Sequence, residues 1–148
     1  MAAQLQLSHR QREHNVDAAR RFFKLLHKKD VDAWAALWAD DGRILVFYPP
    51  AGFGTSIDGK PQILAAFRQL LDNFQTFDYE VTGLYPAAES EAVCLEYDVR
   101  AKLVNGTDYT NSNIAIFRFR DGLIHAYHDY FDPRRFQVVV DALAQAKT

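Results

Sequence analysis

Cysteine is almost absent from the sequence, with Cys94 alone among 148 residues. This excludes an internal disulfide and any zinc site that needs paired cysteines. The first fourteen residues have no apolar block behind a charged end, so no signal peptide is expected. No segment approaches the roughly 20 apolar residues that a membrane-spanning helix needs. We therefore expect a cytoplasmic protein without membrane association.

Basic charge is also scarce. The net charge is -2 and the lysines and arginines form no run, which argues against a nucleic-acid partner. The composition is 49% hydrophobic and 14% aromatic, and the length suits one globular domain. We expect a polar, flexible N terminus over residues 1–14 and a single domain over residues 15–148.

Apolar residues recur every three to four positions in four segments, which indicates helices. The first predicted helix begins at Asn15. The second has Asp30 as its N-cap and an apolar stripe that reaches Trp38. The third has Pro61 in its first turn, and the fourth follows Pro133.

Alternating apolar and polar residues predict the strands. They cover residues 43–48, 76–81, 92–104, 108–120 and 123–131. Asn105-Gly106 and Asp121-Gly122 are typical of two-residue type I′ hairpin turns, so the last four strands should form an antiparallel meander. This order predicts an α+β fold, in which a curved, mainly antiparallel sheet wraps around the N-terminal helices and forms a cone with an internal pocket.

Three stretches of the sequence resemble a known superfamily. The longest, NSNIAIFRFRDGLIHAYHDYFDP, is similar to the C-terminal strands of phenazine-biosynthesis A/B-type proteins and SnoaL-like polyketide cyclases. ADDG and IDGKPQI fit the same group at the predicted second and third helices. Together with the order of elements from about residue 15, they make the chain resemble the nuclear transport factor 2-like superfamily, also called the SnoaL-like or ketosteroid-isomerase-like fold.

The resemblance implies a deep, largely apolar pocket for a small apolar or aromatic molecule. It also implies a homodimer formed through the outer face of the sheet. We expect chemistry without a cofactor. Members include isomerases, cyclases, dehydratases, epoxide hydrolases and proteins with no known activity, so the fold does not by itself define the reaction.

The stretch HAYHDYFDP contains two histidines and two aspartates, which are residue types that bind metal ions. A period of two places His125, Tyr127, Asp129 and Phe131 on one face of a strand and His128 on the other. Zinc needs three or four converging ligands, and this face supplies at most two. We therefore expect no metal site.

Asp129 is the candidate catalytic residue. In the families that this strand resembles, the carboxylate three residues before the Asp132-Pro133 pair faces the pocket and acts on protons. Apolar and aromatic neighbours would raise the pKa of such a carboxyl group toward neutrality, so that it could both give and take protons. The alternative is a buried carboxylate that only anchors a neighbour. Asp132 itself is predicted to be the N-cap of the last helix.

Six further residues are candidates for substrate binding, each with a structural alternative. Asn111 and Asn113 alternate with apolar residues on one strand face, and Tyr48 ends the first predicted strand. Asp98 could pair with Arg100 as in epoxide hydrolases, although it lies on the polar side of its strand, which favours an outer face. The candidates are Tyr48, Tyr127, Asn113, Asn111, Trp38 and Asp98.

The sequence also departs from the families that it resembles. The first predicted strand lacks the base carboxylate of ketosteroid isomerases. Phenazine-type proteins use a histidine and a serine on the third helix. The corresponding positions in this sequence are Ala66 and Leu70. Two main hypotheses remain: an isomerase, cyclase or dehydratase that acts by acid–base chemistry on a cyclic or polyketide-like molecule, or a non-catalytic binding module for an apolar ligand. A pure interaction protein with a filled pocket is a third.

Overall fold

The computed structural model describes residues 8–146, which form four helices and six strands. In chain order they are α1 (His9–His27), α2 (Val31–Ala35), β1 (Trp38–Leu45), β2 (Ser56–Asp58), α3 (Lys60–Asp72), β3 (Phe74–Pro86), β4 (Val93–Leu103), β5 (Asp108–Arg120), β6 (Leu123–Tyr130) and α4 (Pro133–Ala146).

The strands form one curved, unclosed sheet in the order β2-β1-β6-β5-β4-β3. Strands β3 to β6 make the predicted antiparallel meander, and β2 is antiparallel to β1. Only the β1–β6 pair is parallel among these strands. The predicted α+β class and the mainly antiparallel sheet are confirmed. Strand β2 was not predicted, because its three residues follow a Pro- and Gly-rich stretch that is typical of a loop.

Helix α1 packs on the concave face of the sheet through adjacent aromatic rings. Phe22 stacks on Tyr127 at 4.7 Å between ring centroids, and Phe23 lies 4.3 Å from the ring of Tyr97. The ring of Phe117 is 5.0 Å from that of Phe22. Aromatic pairs at these distances contribute roughly 0.5–1.5 kcal/mol beyond their buried area. They fix the helix against β4, β5 and β6.

Helix α1 begins at His9, six residues before the start that periodicity predicts. Ser8 and Gln11 form a capping box, in which each side chain receives the other residue's backbone N–H. The expected domain boundary at residue 15 therefore falls inside a helix. Residues 1–7 of the expected flexible segment lie outside the described residues.

Helix α2 is much shorter than predicted. It ends at Ala35, and Trp38 begins β1 instead of completing a helical stripe. The physical reason is pairing with β6: Trp38 lies opposite Ile124, whose N–H donates to the carbonyl of Leu37 at 2.8 Å. Non-local strand pairing overrides the local helical period here. Trp34 and Trp38 are both buried, as expected.

The two predicted hairpin turns differ. Asp121 and Gly122 have φ values of 54° and 80°, as a type I′ turn requires. At the other turn only Gly106 has a positive φ, and the loop is four residues long, so the predicted two-residue turn is wrong. The side chain of Asn105 accepts the N–H of Thr107 at 3.0 Å, which caps this longer loop locally.

Candidate functional site

A β-bulge in β6 decides which side chains of the HAYHDYFDP stretch face inward. Phe117 pairs with Tyr127 and Arg118 with Ala126, but Phe119 pairs with Ile124, so His125 is the extra residue. Ile124 and Tyr127 both lie in the core. The expectation that His125 shares a face with Tyr127 and Asp129 is therefore wrong, because the bulge breaks the period of two.

Asp129 lies at the centre of a small hydrogen-bonded group on the concave face of the sheet. The hydroxyl of Tyr97 donates to Oδ1 of Asp129 at 3.0 Å, and the hydroxyls of Tyr97 and Tyr127 are 3.3 Å apart. Tyr97 is on β4, whereas Asp129 and Tyr127 are on β6. Ala115 of β5 lies between these strands and pairs with Asp129. Tyr97 itself pairs with Asn113 of β5, so its hydroxyl reaches diagonally across β5 to the carboxylate.

The surroundings of Asp129 raise its pKa from 3.8 to about 7. Burial is the dominant cause, because it removes water from the charged carboxylate. Hydrogen bonds from Tyr97 and Tyr127 act in the opposite direction and moderate the rise. A carboxyl group with this pKa is present in both its protonated and its ionised form at neutral pH.

The two tyrosines keep their protons over the whole physiological range. Burial raises the pKa of each hydroxyl well above its ordinary value, and the nearby charge of Asp129 adds to the rise. They therefore act as hydrogen-bond donors and not as bases. Tyr127 was predicted to lie in the pocket, but Tyr97 was not singled out. Its only sequence signal is a hydroxyl on the otherwise apolar face of β4.

An inner chamber of about 70 Å³ lies between α1, α3 and the sheet. Tyr97, Tyr127, Asp129 and Asn113 form its polar part, and the other lining side chains are apolar or aromatic. These include Phe22, Phe23, Phe67, Leu70, Phe74 and Phe136. Asn113 is 7% exposed and hydrogen-bonds to Tyr97. Asn113 thus lines the same chamber as Tyr127 and Asp129, and its role in substrate binding stays a prediction.

A larger outer chamber of about 260 Å³ adjoins the inner one. Tyr127 and Asp129 line both chambers. The outer walls come from β1, α3, α4 and the loop between β1 and β2, where Phe53 is 47% exposed at the rim. Asp129 is therefore placed where a molecule passing from the outer to the inner chamber would meet it.

Asn111 has a structural position instead of a place in the chambers. Its Nδ2 donates to the hydroxyl of Tyr109 at 2.8 Å and to the carbonyl of Asp132 at 3.1 Å. Its Oδ1 accepts the N–H of Asp132 at 3.3 Å. The side chain of Asp132 in turn accepts the N–H of Arg134 at 2.8 Å, as predicted for an N-cap. Asn111 thus ties β5 to the start of α4.

The remaining three candidates lie away from both chambers. Tyr48 is 69% exposed and its ring is 6.4 Å from that of Tyr130 on the outer side. Trp38 is packed behind Tyr127 against Phe22. Asp98 alternates with the buried residues of β4 and lies in an outer depression with Asp78, Tyr79, Glu80 and Arg100.

Residues 8–146 contain neither a cluster of metal ligands nor a membrane-spanning helix. Nowhere in that range do three His, Cys, Asp or Glu side chains come close enough to hold a metal ion together. None of the helices there is long and apolar enough to cross a membrane.

Comparison with known proteins identifies the family. Residues 19–127 match the model of the SnoaL-like domain. The chain belongs to the SnoaL-like domain family. Two curated relatives are an uncharacterised Bacillus subtilis protein, YesE, and an uncharacterised PhzA/B-like protein of Pseudomonas aeruginosa. The first is 28% identical and the alignment covers 82% of this chain and 83% of the relative; the second is 27% identical, with 76% and 79% covered.

Solved structures confirm the nuclear transport factor 2-like fold. A Bacillus subtilis protein provisionally called an isomerase has a TM-score of 0.79 and 25% identity, over 89% of this chain and 96% of its own. A Mycobacterium tuberculosis protein in complex with estradiol-17β-hemisuccinate has a TM-score of 0.74 and 17% identity, with 82% and 96% covered. A limonene-epoxide-hydrolase-like enzyme from the same organism has a TM-score of 0.68 and 21% identity, with 89% and 93% covered. Proteins of this fold thus include an epoxide hydrolase and a protein that binds a steroid derivative.

Proposed function

We propose that this protein is a cofactor-free acid–base enzyme of the isomerase, cyclase or dehydratase type, in which Asp129 transfers the proton. Its substrate would be an apolar cyclic or polyketide-like molecule. The observation that carries the proposal is the position of Asp129, whose carboxyl group lies at the junction of two apolar chambers with a pKa of about 7.

The reaction class follows from the chemistry of that carboxyl group. In its ionised form Asp129 accepts a proton from the substrate, while the hydroxyl of Tyr97 stabilises the carboxylate. In its protonated form it returns a proton at a different atom. A proton removed at one atom and returned at another moves a double bond, closes a ring or releases water. None of these steps transfers electrons to or from an acceptor, so no redox cofactor is required.

The walls of the site support the same function. Phe22 and Phe117 both pack against the Tyr127 ring, at 4.7 and 5.0 Å between centroids. Such walls exclude water, which raises the pKa of the carboxyl group and prevents competing hydrolysis. Ala66 and Leu70, at the positions of the phenazine-type polar residues, line the outer chamber as apolar side chains. This favours a substrate whose outer part is apolar.

The experiment combines proton exchange with a titration of Asp129. The protein would be incubated in D₂O with a panel of enolisable cyclic ketones, and deuterium uptake at carbon would be followed by ¹H NMR. We expect uptake with the wild type, loss of uptake in Asp129→Asn, and no change in Asp98→Asn, a matched carboxylate on the outer face. An Asp129 pKa near 4 by ¹³C NMR, together with equal uptake in all three proteins, would overturn the proposal and leave a binding module.

We also propose a homodimer, formed through the outer face of the sheet. On that face Ile114 is 43% exposed and lies opposite Tyr130. Phe47, 49% exposed, stacks on the ring of Tyr130 at 5.9 Å. Exposed apolar clusters of this kind are typical of interfaces. Sedimentation velocity should show a dimer for the wild type and a monomer for Ile114→Lys; a wild-type monomer at micromolar concentration would contradict this.

The cytoplasmic location remains a prediction from the sequence.

A further inference from the structure

The inner chamber contains a buried hydrogen-bond acceptor that no donor of residues 8–146 reaches. Oδ1 of Asn113 is enclosed and has no hydrogen-bond donor among residues 8–146. Its residue lines the inner chamber and is 7% exposed. A buried acceptor without a partner destabilises the protein, so such atoms normally have a partner when the protein is in its working state.

The hydroxyl groups beside Asn113 are already engaged. Tyr97 gives its only hydroxyl proton to Asp129. The single proton of Tyr127 goes to the hydroxyl of Tyr97, 3.3 Å away, or to the carboxylate of Asp129, and in neither case to Asn113. The hydroxyl of Tyr109 accepts from the amide of Asn111, and its own proton does not reach Oδ1 of Asn113. The amide group of Asn113 hydrogen-bonds to Tyr97, and Oδ1 of Asn113 receives no proton from any of these hydroxyls.

The polar end of the chamber therefore offers acceptors for a ligand. The free acceptor is Oδ1 of Asn113, and the ionised carboxylate of Asp129 lines the same chamber. Acceptor oxygens in one chamber favour a group that donates, such as a hydroxyl, over a carbonyl oxygen that can only accept. A carbonyl placed there would face Oδ1 of Asn113 across the chamber without a proton between them.

We propose that the ligand is an apolar ring molecule that carries a hydroxyl group at its leading end, and that this hydroxyl donates to Oδ1 of Asn113. The inner chamber of about 70 Å³ accommodates the hydroxyl and the edge of its ring, since a water molecule occupies about 30 Å³ of liquid volume. The apolar body fills the outer chamber of about 260 Å³. Phenols, enols and cyclic alcohols have this form.

The inference rests on the proposed function in one respect, because the hydroxylated molecule would be the substrate or the enol product of that reaction. A hydroxyl bound to Asn113 lies in the same chamber as the carboxyl group of Asp129. Ordered water is the competing occupant, and it would satisfy Asn113 without giving any preference for hydroxylated ligands.

The test compares two probes that differ only at the leading group. 2-Naphthol carries a hydroxyl, whereas 2-methoxynaphthalene has the same rings and no donor. We expect the wild type to bind 2-naphthol about tenfold more tightly at pH 6, as one well-made buried hydrogen bond provides. In Asn113→Leu the two probes should bind with about equal affinity, and the affinity for 2-methoxynaphthalene should be unchanged or higher. Fluorescence titration measures both constants.

A second measurement uses the wild type alone and does not depend on how the variant folds. The ¹³Cγ resonance of Asn113 should shift on addition of 2-naphthol and stay in place with 2-methoxynaphthalene. Equal affinities for the two probes in the wild type, an unchanged preference in Asn113→Leu, or no binding of either probe at millimolar concentration would each overturn the proposal.

The outcome is separable from that of the proposed function. The preference for 2-naphthol could persist in Asp129→Asn while the protein incorporates no deuterium into any ketone. That result would support the hydroxyl site and contradict the proposed enzyme activity. Deuterium uptake that depends on Asp129, with no preference between the two probes, would support the enzyme activity and contradict the hydroxyl site.

Discussion

The hydroxyl of Tyr97 donates to Oδ1 of Asp129 at 3.0 Å, across the intervening strand β5. This contact joins residues 32 positions apart in the chain. It also defines how the carboxyl group responds to its surroundings: burial raises its pKa, and the two tyrosines limit the rise. The opposing effects can be separated by substitution.

Replacing Tyr97 with phenylalanine should raise the pKa of Asp129 above its wild-type value of about 7. The change removes a hydrogen bond to the ionised form and leaves the apolar surroundings intact. The pKa would be measured by ¹³C NMR of the Asp129 carboxyl group. Tyr79→Phe is the matched control, since Tyr79 lies on β3 and packs on Phe23 without a hydrogen bond to Asp129. A lower pKa in Tyr97→Phe would contradict the assigned direction.

Asp129 should also make the wild type less stable as the pH rises. Its folded pKa of about 7 lies above the ordinary value of 3.8, so the folded state binds more protons than the unfolded state between those values. The stability that Asp129 contributes is full below about pH 4, falls as the pH rises, and is lost above about pH 7. The largest change is roughly 4 kcal/mol, at 1.36 kcal/mol per pH unit.

The measurement is urea unfolding of the wild type and Asp129→Asn at pH 4.5 and pH 8. The neutral amide cannot ionise, so the stability of Asp129→Asn relative to the wild type should be greater at pH 8 than at pH 4.5. Asp98→Asn should show no such trend. Parallel stability curves for the wild type and Asp129→Asn would show that Asp129 titrates as an ordinary surface carboxylate.

The sequence predicts the scaffold of this site well, because strand patterns are local. Alternation along β4 correctly places Tyr97 inward, and the pair Asp121-Gly122 correctly predicts its turn. The functional contact of Tyr97 was not predictable in the same way. It depends on the registers of β4, β5 and β6, which bring Tyr97 and Asp129 together across β5, and the sequence of a single strand does not show those registers.

Other differences have equally physical causes. The bulge at His125 comes from the register of β5 and β6, and a period of two cannot show it. Trp38 fits a helical stripe by spacing, but pairing with Ile124 makes it the first residue of a strand. Asn111 and Asn113 look equivalent in the sequence. Only the position of α4 above β5 makes one a structural tie and leaves the other facing the chamber.

That last difference predicts unequal costs for two similar substitutions. Asn111→Leu removes three hydrogen bonds that hold Tyr109 and the start of α4, so it should destabilise the protein by about 2–4 kcal/mol. Asn113→Leu should cost less, since Oδ1 of Asn113 has no donor in the described residues to lose. Urea unfolding measures both. Equal losses would indicate that Asn113 has a structural partner of the same value as Asn111.

Filling the outer chamber should block ligand entry without altering the scaffold. Ala66 is a half-buried residue of α3 that lines the outer chamber, so Ala66→Trp would place an indole ring where the apolar body of a ligand would lie. We expect binding of 2-naphthol to weaken by about tenfold or more, because overlap with a filled volume cannot be relieved in a packed wall. Ala65→Trp is the matched control, since Ala65 precedes it on the same helix and is exposed. Thermal unfolding of both variants would verify that the scaffold is intact. Equal affinity of the two tryptophan variants for 2-naphthol would mean that ligands reach Asp129 by a route other than the outer chamber.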